Sequence, residues 1–159
     1  MNEPTVNMAD ASAGDRGRSL ARGVCRLLCD HGYRVLRELP LGDGRRADVF
    51  ALDRRGGVLI VEVKSSLADF RADQKWPAYL ASCDRFAFAV SSTFPLDVLP
   101  ADTGLIVADA FGGAIVRQPP AAAPLPAARR KALTLRFART AAARLQTLND
   151  AAAADPHMR

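Results

Sequence analysis

The chain is short of the residues that staple, ligate or stack. Three cysteines, two histidines and one tryptophan are spread over 159 residues, and aromatic residues make up 6%. Cys25, Cys29 and Cys83 are odd in number and lack the spacing of a disulfide framework. Cys25 and Cys29, at i,i+4, are not completed to a zinc site by His31 and His157. They read as small thiols kept reduced inside a cell. Long apolar runs are missing too. The best candidate, residues 104–116, is interrupted by Asp109 and by Gly112-Gly113, and falls short of the ~18–20 residues a membrane span needs. The first fifteen residues are polar and lack the charged-then-apolar pattern of a secretion signal. The expectation is a cytoplasmic protein with no membrane contact. No internal repeat, helix-turn-helix or zinc finger is visible.

What is present is one domain's worth of apolar residues, 49%, with an ordinary 25% of charge. Twenty-two Lys+Arg against 17 Asp+Glu leave a formal net charge of +5. That surplus suits a polyanionic partner, although net charge speaks to association and not to fold.

Residues 1–14 are small and polar and are expected to be disordered. A helical pattern over residues 15–30 places Leu20, Val24, Leu27 and Leu28 on one face and stops at His31-Gly32. Strands are expected over residues 33–41, 46–52 and 58–64, separated by turn signals at 42–44 and 53–57. The run Val58-Leu59-Ile60-Val61-Glu62-Val63-Lys64 is nearly continuously apolar and reads as a central strand covered on both faces. A helix follows over residues 67–83, capped by Ser65 or Ser66 and kinked near Trp76 by Pro77. Further strands are expected over 85–90, 105–108 and 114–117. A Pro/Ala-rich spacer covers 119–126, and a closing helix over 127–149 carries the stripe Leu133, Phe137, Ala141, Leu145 and Leu148. Residues 150–159 form a tail. The folded body, 15–118, thus reads α-β-β-β-α-β and then more strands. That order is an α/β open sheet with helices on both faces.

Glu62 and Lys64 are the only charges on the strongest strand, and alternation points them to one face. A charge inside such a strand costs several kcal/mol to desolvate unless it is paired. The preceding strand brings a lone acid of its own, Asp48, which antiparallel pairing sets beside Glu62. Two adjacent carboxylates favour a cation between them, and oxygen ligands select a hard ion such as Mg²⁺. This is a layout for metal-assisted phosphodiester hydrolysis. Asp48, Glu62 and the Val63 carbonyl would hold Mg²⁺ or Mn²⁺, and Lys64 would orient water and offset charge on the phosphoryl oxygens. The bland alternative is a salt bridge between Glu62 and Lys64, with Asp48 capping a turn.

Asp48, thirteen intervening residues and Glu62-Val63-Lys64 resemble the motif of the PD-(D/E)XK nuclease superfamily. Four blocks in order are similar to the MmcB family of bacterial DNA-repair proteins: Gly44–Val49, Val61–Ser66, Asp69–Tyr79 and Cys83–Phe86. The resemblance implies a restriction-endonuclease-like αβββαβ core with a central mixed sheet flanked by helices, a bacterial cytoplasmic location and a DNA partner in damage repair. It extends to other repair proteins as partners, and to a homodimer where both strands are cut. Cleavage does not follow from it, because superfamily members include proteins that only bind DNA. The first helix lacks the Glu that many members place there. Glu38 is the nearest substitute, or else a surface partner for Arg37 or Arg45. Ala47 stands where the superfamily's name has Pro.

Superfamily nucleases often carry a Lys or Gln after the motif strand, which singles out Lys75 as a contact to the scissile phosphate and Gln74 as its rival. Trp76 is expected to pack and Asp69 to cap. Arg45 and Arg46, at the mouth of the site, are candidate DNA contacts or a plain charged strand entry. The rival to a nuclease is an adapter that keeps the fold and binds DNA without cutting it. A third reading is an interaction domain whose buried charges are structural.

Overall fold

A computed structural model describes residues 8–154, with side-chain surroundings from residue 12 onward. The expected disorder of residues 1–7 and the last five residues of the tail lie outside the described residues.

The element order is α1 (Met8–Asp30), β1 (Arg34–Pro40), β2 (Arg46–Leu52), β3 (Val58–Val63), α2 (Leu67–Ala72), a 3₁₀ segment Trp76–Ser82, β4 (Arg85–Val90), a 3₁₀ turn Leu96–Val98, β5 (Gly104–Ala108), β6 (Gly113–Arg117) and α3 (Ala127–Ala154). All six strands join one sheet in sequence order, β1 to β6. The first three are antiparallel neighbours, β3, β4 and β5 run parallel, and β6 returns antiparallel. Every residue of β3 is buried, as its β-branched run requires of a strand covered on both faces.

The sheet separates two apolar layers. On one side α1 lays Leu20, Val24, Leu27 and Leu28 over Val49, Val61, Ala89 and Ile106. On the other, Phe50, Ile60, Phe86 and Phe88 pack with Leu133 of α3 and with Phe70 and Trp76. Trp76 stacks on Phe86 at 5.4 Å between centroids and meets Phe88 edge-on at 5.3 Å, the packing role expected of it. Gly23 lets the β5–β6 hairpin seat on α1, since a Cβ there would lie 1.9 Å from the Asp109 carbonyl oxygen.

Three elements depart from the sequence reading. Helix α1 starts at Met8 and not near residue 15, because Ala9, Ala11 and Ala13 are strong helix formers with no proline among them. The helix expected over residues 67–83 ends at Ala72 and resumes as 3₁₀ at Trp76. The break falls at Asp73, which is extended at φ −96° and ψ 93°; it lies four residues before Pro77, whose ring would clash with the Asp73 carbonyl in a continuous α-helix. Helix α3 continues to Ala154, absorbing the start of the expected tail. Only the first part of its apolar stripe is covered: Leu133 is buried and Phe137 meets Phe50 at 5.9 Å, while Leu145 and Leu148 are exposed. A 28-residue helix, about 42 Å long, outruns the sheet beneath it.

The spacer before α3 is pinned to the sheet. Asp84 accepts the Val58 amide at 2.7 Å and the Leu125 amide at 3.0 Å, and takes both arms of Arg130 at 2.7 Å. These bonds, Arg130's first, hold its carboxyl well below the usual carboxylate range.

Candidate active site

Strands β2 and β3 stay in ladder register from Leu52↔Val58 to Val49↔Val61 and then part. Asp48 and Glu62 bridge the gap reciprocally. The Asp48 amide donates to Glu62 Oε1 at 3.1 Å, and the Val63 amide donates to Asp48 Oδ2 at 2.8 Å. Each acid therefore spends one oxygen on the neighbouring strand, which fixes its rotamer. No bond within the described residues involves the other oxygen of either acid. The adjacency expected from antiparallel pairing is present.

Burial pushes both acids up. Asp48 rises even against the bond from Val63, and Glu62 is driven to about 8, with the Asp48 charge adding to its burial. Glu62 is 4% exposed. Two such carboxyls titrate as a pair and resist double ionisation.

Lys64, 5% exposed, does not neutralise them directly. Its Nζ pairs with Asp73 Oδ2 at 2.5 Å. Burial alone would raise Asp73, but the bond from Lys64 and one from the Lys75 amide hold it below its usual range. The short α2 is fixed beside this pair. The Asp69 amide donates to Ser66 Oγ at 3.1 Å, and Asp69 Oδ2 accepts the Ser65 amide at 3.1 Å. Asp69 thus caps, as expected. The Tyr79 hydroxyl, donating to the Arg46 carbonyl at 3.0 Å, lies in the same field. Its pKa is raised by burial first and then by the Glu62 and Asp48 charges.

These groups open into a cleft of 1320 Å³ whose walls include Asp48, Glu62, Val63, Lys64 and Asp69. Small residues of α1, Gly14, Gly17 and Ala21, line it as well. Arg18, Arg37, Glu38 and Arg144 also line it. No aromatic residue does.

The other candidates fall as follows. Lys75 and Gln74 are exposed and are not among the cleft residues. Gln74 Nε2 donates to the Arg71 carbonyl at 2.9 Å, and the Lys75 amide to Asp73 at 3.0 Å. The break after Ala72 turns them away and brings in Asp73 instead. Arg45 pairs with Asp43 and reaches the Ala78 carbonyl, both at 3.1 Å, tying the β1–β2 turn to the 3₁₀ segment. Arg46 pairs with Glu38 at 3.5 Å, so the surface partner of Glu38 is Arg46 and neither Arg37 nor Arg45. Neither Arg45 nor Arg46 lines the cleft. Asp73, Tyr79 and Arg144 were not foreseen. Asp73 had one signal, its i,i+4 spacing from Asp69 within one of the similar blocks.

Taken together, the element order and the acid pair on adjacent central strands define an α/β domain whose six-stranded mixed sheet is flanked by helices. A family model described as DNA repair protein MmcB-like matches residues 4–152, and the chain belongs to that family. Among solved structures, the SPO1766 protein of unknown function from Silicibacter pomeroyi is similar at 45% identity and a TM-score of 0.83, over 89% of this chain and 97% of that one. A repair endonuclease from Pyrococcus abyssi aligns at 18% identity and a TM-score of 0.31, over 60% of this chain and 40% of that one, a likeness too slight to carry an argument. No curated protein matches. No helix among the described residues is long and apolar enough to cross a membrane.

Proposed function

We propose that this DNA-repair family member is a metal-dependent deoxyribonuclease whose site is Asp48, Glu62 and Lys64. One observation carries the reading: two buried carboxyls held side by side by reciprocal bonds, each with an oxygen left over, facing a cleft that also holds a lysine. A purely structural pair would gain from being apolar, since buried like charges cost stability.

The donor set fits a hard divalent cation. Asp48, Glu62 and the Val63 carbonyl would hold Mg²⁺ or Mn²⁺, all oxygen ligands, with water and phosphate completing the shell. Such an ion supplies Lewis acidity toward a phosphoryl oxygen and lowers the pKa of water. The protein's own part is positional. The backbone bonds to Asp48 and Glu62 hold the acids before substrate arrives, so little reorganisation is needed in the reaction. Lys64, fixed by Asp73, presents a positive charge to the cleft where charge develops on phosphate. Arg18 and Arg37 give the cleft further cationic surface for the flanking backbone. Without an aromatic lining the cleft offers bases no stacking platform, so recognition goes to phosphates and DNA shape.

The test is nicking of single-stranded, mismatched and branched DNA with Mg²⁺, Mn²⁺ or EDTA, comparing wild type with Asp48→Ala and Lys64→Ala. Divalent-dependent nicking lost in both variants is the expected result. Absence of divalent-dependent nicking on all three substrates ends the nuclease reading. Salt-sensitive binding without cleavage would then leave the adapter, a reading favoured by the internal pairing of Lys64 with Asp73.

A further inference from the structure

Glu38 is the one non-glycine residue with a positive φ, +53°, among the described residues, and it sits inside a strand. Arg37↔Val49 and Leu39↔Ala47 are paired on either side of it, so Glu38 lies opposite Asp48. Alternation fails there: Leu36 and Leu39, three apart, both join the α3-side layer, while Val35 joins the α1-side layer. The left-handed conformation disfavours a residue with a Cβ, so something must hold it.

The holder comes from α3. Arg144 Nη1 donates to the Arg37 carbonyl at 2.6 Å, and its Nη2 to the Glu38 carbonyl at 3.0 Å. In a regular strand successive carbonyls point to opposite sides, and one side chain cannot take both. The left-handed turn at Glu38 brings them together, and the guanidinium fork matches the pair. Both Glu38 and Arg144 line the cleft with Asp48.

We propose that Arg144 is a positioning residue: by clamping the Arg37 and Glu38 carbonyls it sets the kink in β1 against which Asp48 is held, making the C-terminal helix part of the site. Its consequences for metal affinity and cleavage rest on the metal-dependent nuclease reading above, while its consequence for backbone order does not. The experiment uses the full chain as wild type, Arg144→Ala and Arg144→Lys. Three quantities are read: residue-resolved amide hydrogen exchange, Mn²⁺ affinity by calorimetry, and steady-state nicking. In Arg144→Ala, exchange at Leu39 and Asp48 is expected to rise about tenfold while Val61, Ala87 and Ile106 keep their protection. Mn²⁺ affinity should fall about tenfold, the size usual for losing a group that orients a ligand. Nicking should lose kcat with KM for DNA unchanged. Arg144→Lys, with one ammonium for two carbonyls, should fall between, and because it keeps the charge and most of the stem it also decides the matter if the alanine variant fails to fold. Unchanged exchange at Leu39 and Asp48 with unchanged Mn²⁺ affinity overturns the proposal. So does a rise in KM with kcat intact, which marks Arg144 as a DNA contact only. If wild type neither binds Mn²⁺ nor cuts, the nuclease reading fails, and amide exchange at Leu39 and Asp48 alone still decides the clamp.

Discussion

Replacing Glu62 by Gln should make the metal-free protein more stable while destroying its metal response. The amide keeps the shape and an oxygen for the Asp48 amide, but it cannot ionise. In wild type, Glu62 rises from an ordinary 4.5 to about 8. A folded-state value above the unfolded one means that folding takes up a proton. The folded state is therefore unpenalised below about pH 4.5, and loses stability as the pH climbs toward 8. At 1.36 kcal/mol per pH unit the ceiling is roughly 5 kcal/mol above pH 8. Water in the open cleft and the linked titration of Asp48 reduce this to about 1–3 kcal/mol. For a chain of this size that is a gain in Tm of about 2–12 °C. The assay is thermal unfolding of both proteins in EDTA at about pH 5 and about pH 8.5, repeated with Mn²⁺. The variant should lead at the higher pH and converge with wild type at the lower, and Mn²⁺ should raise the Tm of wild type alone. A variant less stable than wild type at both pH values would refute the reasoning, because it would mean that the Glu62 carboxylate is satisfied by its surroundings without a cation.

Asp84→Ala should cost about 2–4 kcal/mol by urea unfolding, since it frees two buried amides and Arg130 at once. Because the Asp84 carboxyl is depressed from its ordinary 3.8, its contribution is complete above that value and fades as the pH drops. The gap between variant and wild type should therefore stay constant from about pH 6 to about pH 4 and narrow below that. Gly23→Ala should destabilise by about 1–3 kcal/mol, through the approach of its methyl to the Asp109 carbonyl. Equal melting temperatures would show that the β5–β6 hairpin shifts at no cost. Asp73→Asn should cost about 1–3 kcal/mol by removing the charged partner of Lys64. Unchanged stability would mean that Lys64 finds an equal partner in Asp48 or Glu62.

Much of the fold and the heart of the site are legible in the residues because both rest on short-range rules. Val58–Val63 can only be a central strand, and a short turn after Leu52 forces it antiparallel to β2, which sets Asp48 against Glu62. The features that escaped depend on distance or on conformations a side chain does not advertise. Glutamate is not a left-handed former, so nothing at position 38 announces its kink. Arg144 meets the Glu38 carbonyl across a separation of 106 residues, and among the many arginines of this chain nothing distinguishes it. Lys75 and Gln74 are singled out by the family resemblance, on a helix expected over residues 67–83. Ending it at Ala72 hands their place to Asp73. The stripe on α3 was legible as a period, but not the point at which the sheet beneath it runs out.

The pinning of α3 by Asp84 and Arg130 also orders events in time. All six strands are complete by Arg117, and ladders between neighbouring strands close small loops. Arg130 must instead find the Gly56 carbonyl across 74 residues, and Arg144 must find β1 across still more. Contacts of high sequence separation form late, and domains assemble as they are synthesised from the N-terminus. A growing chain can thus build its sheet and its acid pair before α3 exists. The helix then docks last, by way of the Arg130–Asp84 and Arg129–Asp43 ion pairs and then the Arg144 clamp. Nascent chains and chains cut short within α3 would carry Asp48 and Glu62 on an intact sheet, but without the fixed strand edge beside them.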